Sequence, residues 1–324
     1  PLPVPGSVFA MGRFTRDGAD NADRATRTGF GTRTGENGPG NGNRRYSNRH
    51  RADTLHSPAM RVLALDFDGV VCDSSREVFT VAVRTYAELH PGSPWIRAIL
   101  DQPGRAATER LDLSAAPAFD ALQRLIPLGN RAEDFGVALW VIERGLAVLD
   151  QASYDAAHRR VGGAWRDAFH DRFYAAREAL RAADLEGWRR LHLPYPGLAE
   201  TLRGSGSAWR CAVATAKDGR SVRLLLADLG LDGVIDPALV LDKETGVDKT
   251  SHLTELTERA GVPFAAVTFV DDKVNHLQKA ARLGVRAVLA GWGFNTAREH
   301  DLARALGYPV ASLADAGQIL FDGA

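Results

Sequence analysis

The sequence predicts an α/β fold with a parallel sheet, and three observations support this prediction. Five short apolar runs have the length of buried strands and are too short for helices. Segments of helical periodicity precede each of the last four runs, as in successive βαβ units. A long stretch of helical pattern separates the first run from the rest. Such alternation favours a parallel sheet covered by helices.

Residues 1–59 precede the first predicted strand and are rich in Gly, Asn, Arg and Thr. Nine arginines and five acidic residues give this stretch a net charge of +4. Its large apolar side chains are too few to offset the entropy of ordering, so we expect a disordered tail. An arginine-rich arm for nucleic acid is the alternative, but the acidic residues dilute the arginines. Met60 follows directly, which leaves open a natural start at that residue.

The first predicted strand ends in an acidic loop. Val62 to Leu65 form an unbroken apolar run, and Asp66, Phe67, Asp68 and Gly69 follow it. Side chains alternate along an extended backbone, so the two carboxylates share one side of the chain. Gly69 permits a sharp change of direction after them. Ligands bind at the carboxyl ends of strands in an open α/β sheet, so Asp66 and Asp68 are candidate catalytic residues.

Residues 75–193 form a block of helical periodicity with no clear strand. Apolar residues such as Phe135, Leu139 and Ile142 repeat at helical spacing. We expect a helical module inserted after the first strand, with its aromatic stripes packed in a core rather than around a cofactor. Exposed arginines of a helical module are usually solvated, so Arg177 is assigned no role.

Strands and helices alternate after this block. The predicted helices are 198–203, 221–229, 249–260 and 275–283, and the strands that follow them are 211–215, 238–241, 266–270 and 286–289. We therefore expect residues 60–74 and 194–324 to form one α/β core around five strands.

Polar and charged side chains follow the predicted strands at the edge where the carboxyl ends meet. They are Asp66 and Asp68 after the first strand, Thr215 and Lys217 after the second, Asp271 and Asp272 after the fourth, and Lys249 on the helix before the fourth. Converging carboxylates repel one another unless a cation lies between them, and oxygen ligands suit Mg²⁺. A hydroxyl and an ammonium beside a metal can neutralise a phosphoryl group. The pattern predicts a magnesium-dependent phosphoryl-transfer site.

These motifs, in this order, resemble those of the haloacid dehalogenase-like hydrolases from Met60 to about Phe294. The four matching segments are Asp66-Phe-Asp-Gly-Val-Val, Ala214-Thr215-Ala216, Lys249 in Asp248-Lys-Thr-Ser-His252, and Val270-Asp-Asp272. The resemblance implies a Rossmann-like doubly wound sheet with residues 75–193 as a helical C1 cap, as in phosphoglycolate phosphatases. Val270 replaces a glycine often found before the fourth motif, and Lys243 is a second candidate for the third.

The resemblance also implies a role for each matching residue. Asp66 would be the nucleophile, Asp68 the general acid and base, and Lys249 the cation that holds nucleophile and phosphate together. Thr215 and Ala216 would bind the phosphate. The implied metal ligands are Asp66, the Asp68 carbonyl, Asp271 and Asp272. The implied activity is Mg²⁺-dependent hydrolysis of a small soluble phosphomonoester through an aspartyl phosphate.

Three other readings of the motifs stay open. A phosphomutase shares all of them. A haloacid dehalogenase also uses an aspartate nucleophile, but it needs neither Asp68 nor a metal. A non-catalytic interaction module would have lost at least one motif, and none is missing.

Composition limits the partners and the location. Residues 60–324 carry the balancing charge of −4, which offers no general nucleic-acid surface. The chain has no apolar run long enough to span a bilayer, and its first residues lack a signal-peptide pattern. Two cysteines, Cys72 and Cys211, favour reduced thiols in a cytoplasmic protein. We expect a small phosphorylated metabolite as the partner, and the oligomeric state is left open.

Overall fold

The computed structural model describes residues 60–101, 111–129, 131–246 and 248–321. The predicted tail, residues 1–59, lies outside these ranges. The β-strands of the described part are β1 (Arg61–Leu65), β2 (Cys72–Asp73), β3 (Leu193–Pro194), β4 (Trp209–Ala214), β5 (Ile235–Leu241), β6 (Val267–Asp271), β7 (Arg286–Ala290) and β8 (Val310–Ala311).

Helices fill most of the chain between these strands. The α-helices of the described part are α1 (Ser75–Leu89), α2 (Pro94–Leu100), α3 (Pro117–Leu125), α4 (Ala132–Glu143), α5 (Gln151–Val161), α6 (Gly163–Ala183), α7 (Leu185–Arg189), α8 (Leu198–Arg203), α9 (Gly219–Asp228), α10 (Lys249–Ala260), α11 (Val274–Ala281), α12 (Ala297–Ala305) and α13 (Ala316–Leu320). Short 3₁₀ turns cover Ile126–Leu128 and Phe264–Ala266. None of the described helices is long and apolar enough to cross a membrane.

The main sheet has six parallel strands in the order β5, β4, β1, β6, β7, β8. The chain moves outward from β1 to β5, crosses back to β6 beside β1, and moves outward again to β8. This is a doubly wound sheet, in which the order of strand addition reverses between β1 and β6. The predicted fold class and all five predicted strands are confirmed, and β8 is an additional short edge strand.

The central strand β1 contributes side chains to the cores on both faces of the sheet. Leu63 and Leu65 pack into one buried cluster, and Val62 and Ala64 pack into the other. Leu63 lies opposite Cys211 of β4. Because both faces are covered, every residue from 62 to 65 is fully buried, which explains the continuous apolar run.

The helical segment, α1 to α7, lies between β2 and β3. These two strands pair antiparallel, with Cys72 opposite Pro194 and Asp73 opposite Leu193. No strand is found among the described residues from Ser74 to His192, as predicted. The aromatic stripes are core: Phe169 and Phe173 are buried, with ring centroids 6.2 Å apart.

Candidate active site

The loop after β1 carries the first predicted pair of aspartates. The Asp66 amide donates to the Val270 carbonyl at 2.9 Å, which anchors the loop to β6. Gly69 has φ +85°, and a Cβ atom there would lie 2.8 Å from Oδ2 of Asp272. Glycine is therefore required at position 69 both for its backbone angle and for the close approach of the fourth motif.

Lys249 lies between two carboxylates at the switch point of the sheet. Its Nζ atom is 2.6 Å from Oδ1 of Asp66 and 3.4 Å from Oδ2 of Asp271, and it donates to the Ala214 carbonyl at 2.8 Å. The Lys243 side chain is half exposed, with Nζ 4.0 Å from Glu244. The structure thus brings Lys249, and not Lys243, to the Asp66 carboxylate.

The three groups have different electrostatic environments. Burial and the charge of Asp271 raise the pKa of Asp66, and Lys249 offsets only part of this effect. Burial would also raise the pKa of Asp271, but Lys249 and His276 outweigh it and hold that pKa below its ordinary value. Burial opposes the charge on Lys249, yet the two carboxylates raise its pKa. The uncompensated negative charge beside Asp66 therefore favours the binding of a further cation.

A possible ligand set for a cation includes one residue that the sequence did not single out. One ligand atom from each of Asp66, Asp271 and His276 lies within 4.8 Å of the others. Nδ1 of His276 is 3.0 Å from Oδ1 of Asp271. The buried Asp271 carboxylate and the partly buried Asp66 carboxylate fit a divalent metal, since a cation between them would relieve their mutual repulsion. His276 lies in the first turn of α11, five residues after Asp271, and this short separation from the acidic motif is the signal that could have identified it.

Asp272 is turned toward the loop after β7. Its Oδ2 accepts a hydrogen bond from the Phe294 amide at 2.9 Å, and Nζ of Lys273 is 3.9 Å away. Burial raises the pKa of Asp272 to about 7. Asn295 donates to the Asp272 carbonyl at 3.2 Å. These contacts fix the position of the fourth motif.

Asp68 is paired with Lys217 beside the loop after β4. Nζ of Lys217 donates to Oδ1 of Asp68 at 3.0 Å, and Asp68 retains 37% side-chain exposure. Burial would raise the pKa of Asp68, but Lys217 and Arg177 outweigh it and hold that pKa below its ordinary value. Thr215 is buried at the end of β4, and its Oγ1 accepts from the Lys217 amide at 3.2 Å. Ala216, between them, is exposed.

A second ion pair lies close to Asp68, and the sequence did not reveal it. Nε and Nη2 of Arg177 on α6 donate to the two carboxylate oxygens of Glu77 on α1, at 2.6 and 2.8 Å. Glu77 is fully buried and also accepts from Nε1 of Trp188 at 3.2 Å. The interpretation of Arg177 as a solvated side chain was therefore wrong, because its partner lies a hundred positions away on another helix.

The two carboxylate oxygens of Asp66 differ in their hydrogen bonding. Oδ1 accepts from the Phe67 amide at 2.8 Å and pairs with Lys249. In the described part of the chain no hydrogen bond reaches Oδ2 of Asp66. A partly exposed carboxylate oxygen beside a fixed ammonium can attack an electrophile whose developing negative charge the ammonium neutralises.

Comparisons with known proteins identify the family and the fold of this chain. The family described as haloacid dehalogenase-like hydrolase matches residues 60–284. A haloacid dehalogenase-like family hydrolase from Streptococcus pneumoniae superimposes with a TM-score of 0.50 at 13% identity, covering 79% of this chain and 96% of that one. A predicted phosphoglycolate phosphatase from Haemophilus somnus superimposes with a TM-score of 0.51 at 16% identity, covering 80% and 97%. At these identities the structures show a shared fold. No curated protein matches the chain in sequence.

Proposed function

The chain belongs to the haloacid dehalogenase-like hydrolases, and on that premise we propose that it is a Mg²⁺-dependent phosphatase of a small phosphomonoester. One observation carries the proposal: the Asp66 carboxylate lies against Lys249 at the edge where Asp68, Thr215 and Asp271 also lie. A nucleophilic carboxylate, a second carboxylate two residues later and a fixed cation are what phosphoryl transfer through aspartate needs.

The first step forms an aspartyl phosphate. Asp66 Oδ2 attacks phosphorus in line, the bond from phosphorus to the alcohol oxygen breaks, and Asp68 gives a proton to the departing oxygen. Asp68 is held ionised by Lys217 in the free protein. An incoming phosphate dianion competes for Lys217, which raises the pKa of Asp68 and lets it carry the proton it must donate.

The second step returns the free enzyme. Asp68, now ionised, takes a proton from water as the water oxygen attacks phosphorus, and the bond from phosphorus to Asp66 breaks. Lys249 keeps the Asp66 carboxylate oriented through both steps by its contact at 2.6 Å. Inorganic phosphate is the product.

Asp66, Asp271 and the Asp68 carbonyl are the proposed direct ligands of Mg²⁺, and His276 would orient the Asp271 carboxylate through its contact at 3.0 Å. When bound, Mg²⁺ would neutralise negative charge on the phosphoryl oxygens. Asp272 is a water-mediated ligand in this proposal, because one of its oxygens is engaged by the Phe294 amide. Thr215 and the Ala216 backbone bind the phosphate.

We further propose that the helical segment is the cap of residues 75–193 and covers the substrate. Arg181 on α6 donates to Oγ of Ser221 at 2.6 Å, next to the loop that carries Thr215 and Lys217. A cap in this position excludes bulk water from the aspartyl phosphate until the second step. It also favours a small metabolite over a polymer.

We also propose a cytoplasmic location. It is supported by the two cysteines, which are free and buried.

Phosphate release tests the proposal. The full chain is incubated with Mg²⁺ and p-nitrophenyl phosphate, and inorganic phosphate and p-nitrophenol are measured together. We expect equal amounts of both, and no activity after chelation of the metal. Halide release from a 2-haloacid without metal would support a dehalogenase instead. A phosphorylated co-product in place of inorganic phosphate would support a mutase.

A further inference from the structure

Two arginines one turn apart on α6 contact the starts of two other helices. Nε and Nη2 of Arg177 donate to the carboxylate of Glu77, which lies in the first turn of α1. Nη1 of Arg181 donates to Oδ1 of Asp218, the N-cap residue of α9, at 3.2 Å. Side chains one turn apart lie on the same face of a helix. One face of α6 is therefore tied to the starts of both α1 and α9.

Each of these two helices follows a loop of the candidate active site. α1 follows the loop that carries Asp68, with the short strand β2 between them, and α9 directly follows the loop that carries Thr215 and Lys217. The two loops meet where Nζ of Lys217 donates to Oδ1 of Asp68 at 3.0 Å. The helix starts that α6 holds are thus the far ends of the loops that carry this pair.

The contacts of Arg181 are largely shielded from water. Its side chain is 13% exposed and that of Asp218 is 16% exposed. Nη1 of Arg181 also donates to Oγ of Ser221 at 2.6 Å, and Asp218 in turn accepts from the Ser221 amide at 2.9 Å. An arginine with two shielded partners holds its position better than one in an exposed ion pair. Arg181 therefore fixes the first turn of α9 against α6.

The sheet alone does not fix the side chains of Asp68 and Lys217. Asp68 lies three residues after the end of β1, and Lys217 lies three residues after the end of β4. The Lys217 carbonyl accepts from the Lys243 amide at 3.2 Å, which ties this loop to the one after β5. That bond does not join the Lys217 loop to the Asp68 loop. The contacts from α6 do join their far ends, because both arginines project from one helix.

We propose that Arg177 and Arg181 are positioning residues, which hold the starts of α1 and α9 and so keep Asp68 and Lys217 in the relative position that proton transfer to the leaving alcohol requires. This inference rests on the proposed phosphatase function. A displacement of about 1 Å in a catalytic group can slow a reaction about 100-fold. The helical segment then contributes to the geometry of the reaction as well as covering the substrate.

A second ion pair between the helical segment and α9 provides a matched control. Nε of Arg189 on α7 donates to Oδ2 of Asp228 at 2.5 Å, and both side chains are 27% exposed. Asp228 is the last residue of α9, at the opposite end from Asp218. Arg189→Met therefore removes a contact of the same kind, to the same helix, without touching its first turn.

The dependence on the leaving group distinguishes positioning from a general loss of structure. On the full chain with Mg²⁺, kcat/KM is measured for p-nitrophenyl phosphate and for phenyl phosphate, whose leaving group depends more on protonation by Asp68. Arg181→Met should lower kcat/KM about tenfold or more for phenyl phosphate and by less than about threefold for p-nitrophenyl phosphate. Arg189→Met should keep the parent's ratio between the two esters. A purely structural role of Arg181 would lower both values by the same factor.

Further variants assign the effect to the named contacts. Asp218→Asn keeps a good N-cap residue on α9 but removes the charge that Arg181 binds. It should change the ester ratio as Arg181→Met does, and the double variant should change it no further. Glu77→Gln combined with Arg177→Met removes both buried charges at once, so neither is left unpaired, and it should lower the rate on phenyl phosphate selectively. Asp218→Asn is the mildest of these changes and keeps the test decisive if another variant fails to fold.

The possible outcomes separate this inference from the proposed function. A parent enzyme that releases phosphate from neither ester overturns the phosphatase function. An active parent whose ester ratio is unchanged in Arg181→Met and Asp218→Asn overturns the positioning role alone. The same change of ratio in Arg189→Met also overturns it, because any contact with α9 would then suffice. A parent that hydrolyses only p-nitrophenyl phosphate overturns it as well, because Asp68 then gives no proton to the leaving group.

Discussion

Nζ of Lys249 lies 2.6 Å from Oδ1 of Asp66, and this contact ties the first helix turn of α10 to the end of β1. The second carboxylate near this ammonium, Asp271, is fully buried and lies 3.4 Å away. Lys249 thus contacts both acids, whereas His276 lies 3.0 Å from Asp271 only, so Asp66 keeps the larger share of uncompensated charge that a metal would neutralise.

Replacing Asp66, the proposed nucleophile, should abolish turnover without unfolding the protein. In Asp66→Asn we expect no phosphate release and no transfer of radiolabelled phosphate from substrate to protein, because an amide is a poor nucleophile. Lys249 keeps its contact with Asp271, so the melting temperature should stay close to that of the parent. Asp301→Asn, at a side chain that is 79% exposed, is the control. An active Asp66→Asn enzyme would rule out the covalent mechanism.

Replacing the general acid should slow the reaction in a substrate-dependent way. General acid and base assistance is worth roughly 10² to 10⁴ in rate, so Asp68→Asn should lose about that much on alkyl phosphates. The loss should be smaller on p-nitrophenyl phosphate, whose leaving group needs little protonation. Initial rates on both substrates provide the measurement. Equal losses on both would contradict the role of Asp68 as the acid.

Mg²⁺ should stabilise the parent enzyme through Asp271. A ligand at a hundred times its Kd stabilises the native state by about 2.7 kcal/mol, which calorimetry detects as a rise in Tm. Asp271→Asn should abolish this rise. Asp242→Asn is a matched control, because Asp242 is also buried and follows strand β5 but has no proposed ligand role. A rise that persists in Asp271→Asn would exclude Asp271 as a ligand.

The buried Glu77 should make stability depend on pH in a defined range. Burial opposes ionisation, but Arg177 and Lys217 outweigh it and lower the pKa of Glu77 from 4.5 to about 2. The pKa is depressed on folding, so its stabilising effect is complete above pH 4.5 and is lost as the pH falls toward 2. The shift corresponds to about 3 kcal/mol of stability at neutral pH.

Glu77→Gln should therefore be destabilised by about 3 kcal/mol at pH 7, where it leaves Arg177 buried without its partner. The difference from the parent should shrink as the pH approaches 2, since the parent then loses the charge as well. Urea unfolding at pH 7 and pH 3 measures both values. Asp301→Asn, which breaks an exposed pair, should cost less than about 1 kcal/mol. A constant difference across this pH range would contradict the depressed pKa.

A methyl group at Gly69 should disturb the catalytic loop. Gly69 and Gly145 both have positive φ, +85° and +58°. A Cβ atom at Gly145 meets nothing within 4 Å, whereas one at Gly69 lies 2.8 Å from both Asp272 and Phe294. Gly145→Ala should cost only the backbone penalty of about 1 to 2 kcal/mol. Gly69→Ala should lower the free energy of unfolding by more than this and should also lower kcat. Thermal unfolding measures both stabilities. Equal losses of stability in the two variants would show that Asp272 can move away from the added methyl group.

The sheet could be predicted from the sequence because each central strand is buried on both faces and reads as an unbroken apolar run. The two-residue strands β2, β3 and β8 are too short to leave such a pattern. The carboxyl ends of parallel strands lie at one edge of the sheet, and this rule predicted that the four motifs lie close together. The rule did not predict which side chains form hydrogen bonds and ion pairs with one another.

The contacts that the sequence could not reveal join distant helices. Glu77 and Arg177 are a hundred positions apart, and the pattern of either helix alone does not indicate its partner on the other. The position of α10 brings Lys249 to Asp66, whereas Lys243 lies beside Glu244.

That pairing has a consequence for how this architecture can vary. The chain leaves the sheet domain at Asp73 and returns at Leu193, and these residues are direct partners. Entry and exit of the whole helical segment therefore lie about 5 Å apart, the width of a hairpin. A segment of any length, down to a tight turn, can close the same gap without moving β1. The sheet and the helical segment can thus be exchanged independently, by recombination at the paired residues Asp73 and Leu193.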